Sequence, residues 1–211
     1  MLLNPKKSKY MIINFCNAYQ FRTRLYIKNS LIEQVRQTRL LGVIISDDLT
    51  WSANTQHLIK RAYKRFVILR KLNEFNVNKR DMITIYILFF RCILKQSSVV
   101  WSSSLTKEEK LAFERTQKVA LRIIYQKDYV SYEHALKLSN LTTIEERHSK
   151  LLLNFAIKCT KNENTRHMLP LAPSKPWARR QDKYQVPFAR KERFFRSSIP
   201  KMARMLNGCN Q

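Results

Sequence analysis

Apolar residues follow two different rhythms along this chain. Over the first 46 residues they alternate with polar ones or gather in short runs, which is the spacing of strands. Residues 9–15 are rich in β-formers, residues 24–28 alternate, Asn29 and Ser30 suit a turn, and residues 31–38 return from it. Residues 40–45 make a short apolar strand. A small antiparallel sheet is the simplest arrangement of these pieces.

From Trp51 onward the spacing becomes three and four. Leu58, Ala62, Phe66 and Leu69 share one helical face and predict a helix over 51–72. Asp81 is placed to cap the next helix, which runs to about Ser97. Thr106 and Glu109 have capping-box spacing and open a helix through Tyr125. Thr142 and Thr143, with Glu145 and Glu146 three residues on from each, open another through Cys159. Past Pro170 the periodicity fails, and Pro173, Pro176, Pro187 and Pro200 punctuate a tail expected to be irregular. The chain therefore reads as α+β, with its strands confined to the front. Expected boundaries are 1–48 for the β region, 49–128 and 129–170 for two helical stretches, and 171–211 for the tail.

Composition narrows the chemistry. A chain of 211 residues, 45% of them hydrophobic, is long enough to bury a core and too apolar for wholesale disorder. It carries 40 Lys+Arg against 15 Asp+Glu, a formal net charge of +25. Such a field recruits polyanions: nucleic acid first, because the cations are interleaved with aromatics, and an anionic membrane surface second. Cys16, Cys92, Cys159 and Cys209 lie far apart, so no zinc pair is spelled out, and they read as reduced intracellular thiols. No signal-peptide core stands at the N-terminus. The apolar run 82–94 is too short to span a bilayer and reads as a buried helix. With only Gly42 and Gly208, no glycine-rich phosphate loop is available.

Five stretches carry candidate chemistry. The lysine-bearing turn at Asn4-Pro5-Lys6-Lys7 precedes a strand; Lys7 could approach a triphosphate and donate a proton to a leaving pyrophosphate, or the turn is a solvated basic terminus. Gly42, read as lying inside a strand over 39–46, marks close approach of a ligand or simply an ordinary buried strand. Asp47 and Asp48 invite a magnesium reading, but neighbouring strand side chains diverge, so a turn or helix cap is the expectation. Residues 60–71 hold six cations, Lys60, Arg61, Lys64, Arg65, Arg70 and Lys71, and no acid; such a face fits a phosphate backbone, or it is merely solvated. The tail from Lys175 to Arg204 holds ten cations, among them Arg179, Arg180, Arg190, Arg193 and Arg196, interleaved with Trp177, Tyr184, Phe188, Phe194 and Phe195. Its aromatics could stack on unpaired bases or pin the tail to the helices. His57, His134, His148 and His167 form no ligand pair at metal-binding spacing.

In order, these segments resemble the distal half of reverse transcriptases from non-LTR (LINE-type, jockey-like) retrotransposons. The resemblance is carried by Asn4-Pro5, Lys7-Ser8-Lys9 and the strand after them, and by Leu40-Leu41-Gly42-Val43 with Asp47 to Trp51. It continues through Ile85-Tyr86, Val100-Trp101, and Leu111, Glu114 and Gln117 with the run from Ala120 to Ile124. It ends with Tyr132, Glu133, Ala135 and Leu136, with Leu141 to Arg147 and Phe155 to Lys158, then Arg193, Ser197 to Pro200, Leu206 and Asn207. It covers nearly the whole chain, through seven weak motifs in order.

The resemblance implies a partial palm, a primer-grip hairpin at Leu41 and Gly42, a helical thumb and a C-terminal extension. It implies contact of Lys7 with the incoming nucleotide and of the basic helix with a primer–template duplex. The family's catalytic aspartates precede the stretch matched by Asn4. The chain is thus expected to bind RNA template, DNA primer or hybrid without polymerising alone. No cofactor is expected in this piece; magnesium belongs to the full-length enzyme, whose fingers and remaining palm are the implied partners. An intracellular location, the nucleus included, follows. The rival expectations are a stand-alone basic nucleic-acid-binding protein derived from such an element, and a basic helical protein at a membrane surface or partner.

Overall fold

A computed structural model describes residues 4–15, 24–173 and 182–209. The chain divides into two compact units, Met1–His57 and Leu58–Gln211. It is α+β: all named strands among the described residues lie between Lys9 and Ser46, and helices follow.

In the first unit, Asn4 caps a short 3-10 turn, Pro5–Lys7, by accepting the Lys6 amide on Oδ1 at 3.0 Å. The strands β1 (Lys9–Tyr10), β2 (Tyr26–Ile27), β3 (Ser30–Leu31), β4 (Glu33–Gln34), β5 (Gln37–Leu40) and β6 (Val43–Ser46) pair two by two. One antiparallel sheet was expected; three two-stranded pairings stand instead, and β1 with β4 is parallel. The reason lies in residues 31–38, which change partner along their length. The Ile32 amide donates to the Leu25 carbonyl, the Val35 amide to Tyr10, and β5 then pairs with β6 (2.9 Å for both bonds). The first hairpin turns on Lys28 and Asn29, both at positive φ (46° and 62°), one residue earlier than expected.

Gly42 does not lie inside a strand. Leu40 pairs with Val43, and Leu41 and Gly42 form a two-residue hairpin loop with φ of 49° and 87°. Positive φ at both loop positions matches the right-handed twist of the strands, which explains the glycine. Asp47 and Asp48 form a turn, as expected. The Asp48 carboxylate accepts the Thr50 amide at 2.9 Å and its hydroxyl at 3.0 Å.

Helix α1 (Ser52–Glu74) crosses the division between units. It is followed by α2 (Lys79–Ile85), π-helical turns over Tyr86–Arg91, α3 (Cys92–Leu94), α4 (Ser98–Trp101), α5 (Lys107–Tyr125), α6 (Tyr132–Leu138), α7 (Ile144–Lys161), α8 (Glu192–Arg196) and α9 (Ser198–Cys209). The predicted Thr106–Glu109 capping box forms, and of the two starts offered at Thr142 and Thr143 it is Thr143 that caps, boxed with Glu146. Asp81 is not the cap of α2. Asn78 holds that position, accepting the Asp81 amide at 3.0 Å while donating to its carboxylate at 2.8 Å.

Two apolar clusters fill the second unit. Phe66 and Leu69 of α1 pack with Met82, Tyr86 and Phe90, with Ala120, Leu121 and Ile124 of α5, and with Ala135 of α6. Leu152 and Ala156 of α7 pack with Met202, Ala203 and Leu206 of α9, and with Tyr184. Trp101, fully buried, stacks on Phe113 with centroids 5.2 Å apart. Truncating a ring such as Phe66 in these interiors costs about 3–5 kcal/mol. The tail is thus not irregular throughout. Ile199, Met202, Ala203 and Leu206 have helical spacing, and Pro200 sits in the first turn of α9, where a missing N–H is harmless.

Candidate nucleic-acid interface

The period of α1 sorts its cations. Leu58, Ala62, Phe66 and Leu69 are buried, so their face is committed to the interior. At 3.6 residues per turn, Lys60, Lys64 and Lys71 fall within about 40° of one another on the opposite side. All three are exposed, as is Arg70 nearer the edge. Between Ser52 and Asn73 the helix has no carboxylate. This face presents ammonium groups at one- and two-turn intervals, with nothing acidic on the helix to neutralise them.

Arg61 and Arg65 lie on the flank and are half-buried. Arg61 Nη1 donates to Gln96 Oε1 at 3.1 Å, and Arg65 Nη1 donates to the Phe89 carbonyl in the π-helical turns at 2.7 Å. With Lys95, Ser98 and the side chains between them they line an open groove of about 580 Å³. The sequence grouped all six cations of 60–71 as one face; the structure separates a solvent-facing stripe from this groove. Lys95 belongs to the groove and was not singled out in the sequence, where it stands alone after an apolar run.

The remaining predicted positions lie on separate elements. Lys7 is exposed at the end of its 3-10 turn. Leu41 is 91% exposed at the tip of its hairpin. Arg179 and Arg180, like Lys175, Trp177 and Cys16, lie outside the described residues. Arg190 and Arg193 are exposed, and Arg196 pairs through Nε with Glu192 Oε1 at 2.6 Å. The tail aromatics divide. Phe188 is 84% exposed, whereas Tyr184 is buried. Phe195 lies under the Arg204 guanidinium, whose carbon is 3.8 Å from the ring centroid.

Several residues that carry the family resemblance serve the interior. The Tyr86 hydroxyl donates to Gln117 Oε1 (3.0 Å), and Gln117 Nε2 donates to the Tyr132 hydroxyl (2.9 Å) and the Thr142 carbonyl (3.1 Å). Tyr132 donates to Glu114, whose carboxylate also accepts the Ile144 amide at the start of α7 (2.9 Å). Burial raises the Glu114 carboxyl above the usual carboxylate range, and the Ile144 amide opposes that shift. Burial also raises both tyrosines. Arg91, 8% exposed, donates to the Thr142 carbonyl, and burial lowers its pKa. Arg91 reads in the sequence as an interruption of an apolar run; it is a buried tie between the π-helical turns and the α7 cap. Such networks fix helix geometry and leave no reacting group exposed.

His148 is buried, and its Nε2–H donates to the Leu94 carbonyl at 2.8 Å. Burial drives its pKa down to about 4, so it is neutral near pH 7. Among the described residues no three His, Cys, Asp or Glu side chains converge to hold a metal ion. The Asp48 carboxylate accepts both the amide and the hydroxyl of Thr50, the arrangement of a turn-closing side chain. No single helix among the described residues is long and apolar enough to cross a membrane. A bent pair, Lys79–Leu94 with Ser98–Ser104, passes by length and composition together, and its Met82, Tyr86, Phe90 and Trp101 are buried within the unit. No family model, curated protein or solved structure matches this chain.

Proposed function

We propose that the chain is the nucleic-acid-gripping part of a retrotransposon-type RNA-directed DNA polymerase. The observation that carries this reading is the stripe of Lys60, Lys64 and Lys71 on α1, opposite its buried face and free of any carboxylate from Ser52 to Asn73. A straight cationic stripe matches a phosphate backbone, and each contact gains from counterion release. The order of elements supports it as well. A lysine turn, a hairpin with an exposed leucine at its tip, and a basic helix follow one another as nucleotide contact, primer grip and thumb do in the family resembled. In the full-length enzyme, magnesium ions would supply the nucleotidyl-transfer chemistry from aspartates elsewhere.

The chain by itself then binds primed template and adds no nucleotide to it. A primer-extension assay on a primed RNA template, with magnesium and all four deoxynucleotides, checks this. Extension by the purified chain would overturn the assignment. A second reading, a stand-alone nucleic-acid-binding protein derived from such an element, is favoured by one observation: the unit Leu58–Gln211 has apolar clusters of its own. Both readings place the protein inside the cell with RNA, DNA or their hybrid as partner.

A further inference from the structure

We infer that the groove beside α1 is a built subsite for one nucleotide unit of a nucleic-acid strand, an inference that rests on the nucleic-acid reading. Arg61 and Arg65 enter the groove one helical turn apart, and Lys95 enters from the segment after α3. No carboxylate lines it. Three cations around one space of about 580 Å³ repel one another unless an anion joins them. Both guanidinium groups are already oriented, Arg61 by Gln96 and Arg65 by the Phe89 carbonyl. Each bond uses one Nη1 donor, and a guanidinium has five, so further N–H groups remain for phosphate oxygens. Little side-chain freedom is left to lose on binding.

A buried serine borders the groove. Ser98 is 2% exposed, and its Oγ lies beneath the surface with no hydrogen-bond partner. A buried polar atom without a partner is costly, and a ligand oxygen reaching it would relieve that cost. The apolar wall completes the match. Val99 and Leu151, both half-buried, give a surface suited to a sugar or base face, which inorganic phosphate would leave uncovered. The volume falls in the range of sites for small organic ligands, as a single nucleotide unit requires.

Cys92 lines the same groove and is half-buried, so it reports occupancy. The test measures the alkylation rate of the Cys92 peptide in the full chain by mass spectrometry. It is run alone, with a saturating single-stranded oligonucleotide of about 12 nucleotides, and with inorganic phosphate. Binding of the same oligonucleotide is followed by fluorescence anisotropy against salt. The expected result is several-fold protection of Cys92 by the oligonucleotide and little by inorganic phosphate. Arg61→Gln/Arg65→Gln/Lys95→Gln should weaken binding about tenfold or more and reduce the salt slope by about 2–3. Lys60→Gln/Lys64→Gln/Lys71→Gln should also weaken binding, yet keep Cys92 protected at saturation. Lys95→Gln alone, which spares both oriented arginines, should reduce the slope by about 1. Wild-type binding with Cys92 alkylated at an unchanged rate overturns the groove and leaves the nucleic-acid reading standing. Protection by inorganic phosphate but not by the oligonucleotide overturns the strand assignment. Absence of wild-type binding overturns both.

Discussion

Asn207 holds the backbone of Tyr184 from both sides. Its Oδ1 accepts the Tyr184 amide and its Nδ2 donates to the Tyr184 carbonyl, each at 2.9 Å. The side chain of α9 thus imitates a strand neighbour and satisfies a buried stretch of extended chain. Asn207→Ala should cost about 2–4 kcal/mol, because two buried backbone groups lose their partners. Urea denaturation measures it; a loss below about 0.5 kcal/mol would show that this clamp does not fix the tail.

His148 makes stability depend on pH in a stated direction. Its pKa falls from 6.5 unfolded to about 4 folded, chiefly through burial. The unfolded chain therefore binds the extra proton first, and stability is lost as pH falls from about 6.5 toward 4. The full contribution is on the order of 3 kcal/mol. His148→Gln keeps a donor for the Leu94 carbonyl and should flatten this part of the profile. Thermal unfolding of both proteins at several pH values decides; parallel profiles would contradict the assignment.

Leu41 holds a left-handed backbone at the tip of an exposed hairpin, where asparagine is the favoured residue. Leu41→Asn should therefore stabilise the protein, by about 0.5–1 kcal/mol, since it relieves strain and exposes less apolar surface. The same change should weaken binding to a primed template while leaving unprimed single strands unaffected. An unchanged affinity of Leu41→Asn for the primed template would remove Leu41 from the interface.

Much of the helical architecture is legible in the sequence because its signals are local. Leu58, Ala62, Phe66 and Leu69 announce a buried face by period alone, and Thr106 and Thr143 announce helix starts through glutamates three residues on. The strands are less legible because a strand needs an edge to pair with, and propensity does not supply one. Residues 31–38 look like one strand and serve three partners in turn. Leu41-Gly42 hides a hairpin because leucine is an uncommon first residue in such a loop. Helix α9 is masked by Pro200, which marks a break in most contexts but sits in a first turn here. The groove is not visible at all. Lys95 is distant in sequence from Arg61 and Arg65, and only the packing of α1 beside the π-helical turns brings them together.

The central claim is that this chain holds nucleic acid through α1. The most direct test is the affinity of the purified protein for a fluorescent primer–template hybrid as salt is raised from about 50 to about 200 mM. With Lys60, Lys64, Lys71 and Arg70 meeting phosphates, these four contacts should contribute about 3–4 to the slope of log Kd against log salt, and Lys60→Gln/Lys64→Gln/Lys71→Gln should lower that slope by about 3. An affinity that does not change over that range, or a slope unaltered by the triple substitution, would contradict the claim.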